Sequence, residues 1–107
     1  MHDVLQAALE PLRGKINLAF VYGSIARSVK RESSDVDLMI VGRTDFGTVI
    51  STLTDAQKTF NREINPTVYS VKEFRAKLHG NFLKNVLAGK KLFIIGDENV
   101  LRELAEK

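Results

Sequence analysis

No cysteine occurs among the 107 residues. A disulfide framework, a zinc–thiolate site and a thiol nucleophile are therefore excluded, and a cytoplasmic setting is permitted. Long apolar runs are missing too: none approaches the roughly 20 residues that a membrane-spanning helix needs. The opening MHDVLQAALEPL has neither a basic start nor an extended apolar core, so no secretory leader is expected. There is no GxxxxGK(S/T) motif, which disfavours a P-loop nucleotide hydrolase. Histidine is scarce. His2 stands at the terminus, and His79 beside Gly80 has no second histidine or cysteine nearby, so neither marks a metal site. No repeat, low-complexity stretch or linker interrupts the chain. Its length suffices for one core and not for two, so residues 1–107 read as a single domain.

What is present is the composition of an ordinary globular protein, 44% hydrophobic and 27% charged, with a net charge of +3. The basic residues are scattered apart from short groups such as Lys30-Arg31 and Lys90-Lys91, as on a solvated basic face. Periodicity predicts a first helix carrying Val4, Leu5, Ala8, Leu9 and Leu12, capped by Asp3 and closed by Gly14. Ile16 to Tyr22 reads as a strand ending at Gly23, Ser24 to Val29 as a short helix, and Lys30 to Ser34 as a polar loop. A second strand runs from Val36 to Val41. Thr44 or Asp45 then caps a helix with Phe46, Val49, Ile50 and Leu53 on one side. Glu63 to Ser70 predicts a third strand, which Pro66 restricts to a sheet edge or a bulge. Ser70-Val71-Lys72-Glu73 has the form of a capping box, with Phe74 and Leu78 facing inward. A further helical turn or two over Phe82–Leu87, a short strand from Lys91 to Ile95 and a last helix from Asp97 complete the order. The expected fold is α/β or α+β: a small mixed sheet with helices covering at least one face.

The stretch GSIARSVKRESSDVDL carries the chemistry. Asp35 and Asp37 stand two apart at the head of a strand, so their side chains share a face. Two like charges held that close repel, and one carboxyl rises in pKa unless a cation intervenes. Gly23-Ser24 follows directly on a strand and opens a helix, where bare backbone N–H groups suit a phosphate. Magnesium prefers one or two carboxylates together with substrate phosphate oxygens. A Gly-Ser pair alone is an ordinary turn, and a D-x-D pair alone can be a solvated strand end. In the order strand, GS, helix, loop, DxD, strand, they describe a site for phosphoryl or nucleotidyl transfer.

FVYGSIARSVKRESSDVDLMIV resembles the first motif of the minimal nucleotidyltransferases, small stand-alone members of the superfamily built on the DNA polymerase β palm. The likeness extends less sharply through NREINPTVYS and KKLFIIGDE, so it covers most of the chain. It implies that Asp35 and Asp37 hold two magnesium ions and that Gly23 and Ser24 contact the triphosphate of a nucleotide. Ser34, just before the first aspartate, belongs to the same motif and is expected at the nucleotide. Arg27 lies one helical turn past Ser24 and is placed to reach a phosphate. The family also carries a third carboxylate on a later strand. In REINPTV, alternation sets Glu63, Asn65 and Thr67 on one face, with Ile64 and Val68 on the other. Glu63 can serve there as metal ligand and base. Asn65 can fill the same place, with an amide that coordinates but takes no proton.

Three functions follow from this reading. The first is a magnesium-dependent nucleotidyltransferase moving AMP from ATP to a hydroxyl. So small a domain has little surface for a large nucleic acid, which favours a protein or other acceptor over direct nucleic-acid binding. Minimal members are often paired with a small helical HEPN protein in toxin–antitoxin modules, so the resemblance implies an antitoxin-type role. The second is a catalytically weak nucleotide-binding module, related to domains fused to winged-helix regulators. The third is a small-molecule transferase, which normally needs an acceptor domain that is not visible here.

Overall fold

The computed structural model describes residues 2–23, 35–60 and 63–106. The expected helix over Ser24–Val29 and loop over Lys30–Ser34 lie outside them. Helix α1 (His2–Leu9) passes into a 3-10 segment, Glu10–Lys15. One helix up to Gly14 was expected from the apolar spacing. Pro11 sits in the first positions of the 3-10 segment, because its ring would collide with the carbonyl four residues back if the α-helix continued. Leu5, Leu9 and Leu12 are buried all the same.

Strand β1 (Ile16–Tyr22) pairs antiparallel with β2 (Val36–Gly42), setting Phe20 opposite Met39 and Tyr22 opposite Asp37. Helix α2 (Phe46–Phe60) is capped by Asp45, whose Oδ1 accepts the Thr48 N–H at 2.8 Å. It crosses over to β3 (Ile64–Tyr69), which runs parallel to β2. A parallel pair requires such a crossover. Ser70 and Glu73 form the expected capping box at α3 (Val71–Ala76), with both hydrogen bonds at 3.0 Å. After α4 (Asn81–Ala88), β4 (Leu92–Ile95) joins the free side of β1, antiparallel to it, and α5 (Glu98–Glu106) closes the order. The sheet order is β3-β2-β1-β4, so β3, which contains Pro66, is an edge as its proline required.

Helices cover both faces. On one, α1 and α2 enclose Ala19, Val21, Leu38, Ile40, Val49 and Leu53. On the other, α3, α4 and α5 enclose Phe20, Met39, Val41, Phe74, Leu83 and Leu101. Burial on both sides explains why β1 and β2 read as nearly unbroken apolar runs. Among the described residues no helix is long and apolar enough to cross a membrane.

Candidate active site

The site lies where the second of these faces runs out of apolar residues. Along β2, Met39 is fully buried, Asp37 half-buried and Asp35 exposed. Three consecutive positions of one face thus pass from dry core to water. Alternation dictates which face: Val36, Leu38 and Ile40 belong to the core under α1 and α2, so the aspartates point with Met39 and Val41 to the other side.

Gly23 comes up against the pair from β1. Its φ is +81°, and a Cβ added to it would lie 2.8 Å from Asp37 Oδ2. Glycine is therefore needed twice over, for a left-handed backbone and for the close approach of the turn to the carboxylate. Partial burial pushes the Asp37 carboxyl above its ordinary pKa, and the negative charge of Asp35 pushes it the same way. The expected repulsion within the pair is thus present.

On β3, Asn65 stands in register with Asp37, and its Nδ2 donates to Asp35 Oδ2 at 3.2 Å. Glu63 precedes the strand and is exposed; its backbone carbonyl accepts the Val36 N–H at 2.8 Å. Among the described residues no third carboxylate or imidazole gathers with Asp35 and Asp37. Ser24, Arg27 and Ser34 lie outside the described residues. The chemistry of the donors brought together, two carboxylates and an amide, suits a hard divalent cation such as magnesium.

Tyr22 ends the strand expected over Ile16–Tyr22, and its register partner Asp37 makes it a wall of the site. Burial raises its phenol pKa, the Thr67 side chain opposes the rise, and Asp37 and Tyr69 add to it. Phe82 meets the Tyr22 ring edge-on at 6.2 Å and is itself exposed. The signal for Tyr22 was its place beside Gly23 in the strand. Nothing in the sequence signalled Phe82, since only the packing of α4 brings it there. Beyond Phe82 opens a cleft of about 460 Å³, which Tyr69 and Lys77 also line. A slightly larger cleft of about 500 Å³ lies between α1 and α2, under the opposite face and away from the aspartates.

The profile of the polymerase beta nucleotidyltransferase family matches residues 6–99. A Methanocaldococcus jannaschii protein provisionally named a protein adenylyltransferase is 35% identical over 85 residues, which are 79% of this chain and 85% of that one. The fold is also that of solved toxin–antitoxin proteins. A chain of the MntA–HpeT complex carrying two Asp-to-Glu substitutions superposes with a TM-score of 0.69 at 9% identity, covering 98% of this chain and 80% of its own. A chain of a toxin–antitoxin structure with AMP-PNP gives 0.68 at 12%, covering 97% and 80%. A chain from the complex of tri-AMPylated Shewanella oneidensis HEPN toxin with its MNT antitoxin gives 0.60 at 11%, covering 98% and 81%.

Proposed function

Because the chain belongs to the polymerase beta nucleotidyltransferase family and is a nucleotidyltransferase, we propose that it moves AMP from ATP to a hydroxyl group of a protein acceptor. The observation that carries this reading is the close approach of Gly23 to Asp37, which sets the start of the phosphate-binding turn against the carboxylate pair. The adenylyltransferase name of the 35% identical relative supports AMP as the transferred group. Solved structures of the same fold come from complexes with AMP-PNP and with an AMPylated HEPN toxin, which supports ATP as donor and a small helical HEPN-type protein as acceptor.

In the reaction the acceptor oxygen attacks the α-phosphorus, a new P–O bond forms, and the α–β bridging bond breaks. Pyrophosphate leaves with that electron pair, and the hydroxyl proton passes to water. Gly23 lets the backbone approach the phosphates, with Ser24, Arg27 and Ser34 as further nucleotide contacts. Asp35 and Asp37 would hold magnesium, whose contribution there is to neutralise charge on the triphosphate oxygens. Tyr22 and Phe82 wall the site on the side of α4.

A second reading is a nucleotide-binding module with weak turnover. It is favoured by the amide, rather than a third acid, in contact with Asp35. Calorimetric titration with ATP, GTP, CTP and UTP, in magnesium and in EDTA, tests the donor. Magnesium-dependent binding of ATP alone is expected, and the double variant Asp35→Asn with Asp37→Asn should abolish it while leaving the fold intact. Unchanged Mg-ATP affinity in that variant would sink the metal assignment. Transfer of labelled AMP to the acceptor then separates enzyme from binding module.

A further inference from the structure

We infer that Asn65 occupies the place of the third carboxylate, so that this chain's side chains hold one divalent cation beside the nucleotide instead of two. The inference rests on the magnesium–nucleotide reading above and sharpens it. Alternation alone left Glu63 and Asn65 equivalent, because both fall on the same face of β3. The parallel register distinguishes them: Asn65 lies directly beside Asp37 and its side chain closes a hydrogen bond onto Asp35, while Glu63, one position before the strand, meets β2 through its backbone carbonyl, which accepts the Val36 N–H.

The chemistry of an amide at that place differs from that of an acid in two respects. Through Nδ2 it donates to Asp35 Oδ2, engaging an oxygen that would otherwise face a cation. It is also neutral, so the pair it joins carries at most two negative charges. A second divalent ion beside the first would then have no further carboxylate to bind among the described residues, and would rest on the nucleotide's phosphate oxygens. Asn65 holds Asp35 in orientation for a single ion and cannot take the proton of the attacking hydroxyl.

The test is a count of ions. Mn²⁺ binding to the full chain saturated with AMP-PNP is followed by electron paramagnetic resonance, for the wild type and for Asn65→Asp. One ion per chain is expected for the wild type and two for Asn65→Asp, whose AMP transfer should rise by about 10²-fold as a carboxylate becomes available to the hydroxyl proton. Asn65→Ala should still bind one, which keeps the count readable if the aspartate variant folds poorly. Two ions in the wild type would overturn the inference and leave the proposed function standing. Loss of one of those two in Glu63→Gln would then name Glu63 as the acid that supplies the third ligand. No ion in the wild type would overturn the inference and the magnesium assignment together.

Discussion

The two faces of the sheet are built from alternate residues of the same strands, yet only one of them stays apolar to the end of β2. Under α1 and α2 the row Val36, Leu38, Ile40 is buried throughout, and neighbouring Val21 and Ile64 extend the cover. On the other face the row Val41, Met39, Asp37, Asp35 begins as core and ends as chemistry. The first face anchors the strand so that the second can afford repulsion. A carboxylate pair raised on a mobile loop would relax apart, whereas here the backbone of both aspartates is held by the burial of Val36 and Leu38 between and beside them.

Substitutions on the two faces should therefore separate stability from binding. The largest loss of stability is expected from Leu38→Ala on the closed face, about 2–5 kcal/mol, read by denaturant unfolding. The nucleotide affinity of its folded fraction should match the wild type; a large drop would mean that the faces are not independent. Gly23→Ala acts on the open face. Its left-handed φ costs a side chain about 1–2 kcal/mol, and the new Cβ must displace Asp37 Oδ2. Here nucleotide binding should weaken along with stability, and retained affinity would show that the turn does not touch the ligand. The smallest effect is expected at the lid of the open face: Ser70→Ala removes an N-cap and should cost about 1 kcal/mol, with the site unaltered.

The same capping box adds a pH dependence whose sign is fixed. The backbone N–H of Ser70, and then its side chain, hold the Glu73 carboxyl below its ordinary value. Its contribution is therefore present above that ordinary value and is lost as pH falls through the depressed one. Thermal melts of Glu73→Gln should show a shallower acid-side decline than the wild type.

Much of this was legible in the chain. Apolar runs bounded by Gly23 and Gly42 marked β1 and β2, the Ser70–Glu73 spacing marked the start of α3, and Pro66 marked an edge. These signals are local, because they depend on propensity and on nearby hydrogen bonds. The break of α1 at Leu9 was harder to see, since Leu12 keeps the apolar spacing while Pro11 changes the backbone beneath it. Strand pairing was beyond reach. Which of Glu63 and Asn65 stands beside Asp37 depends on the register of a parallel pair whose strands are joined through α2, and no short motif sets that register. Phe82 reaches Tyr22 for a similar reason, through a helix sixty residues further along the chain.

Pro66 has a consequence beyond naming its strand an edge. A bare edge is a template on which another chain can lengthen the sheet, and β3 lies beside the aspartates. A residue without an N–H in the middle of that edge interrupts the ladder a newcomer would need. Strand addition, and the fibrous self-association that grows from it, is thereby blocked next to the site. A protein that docked on this side would meet side chains there, and not an unbroken row of backbone donors.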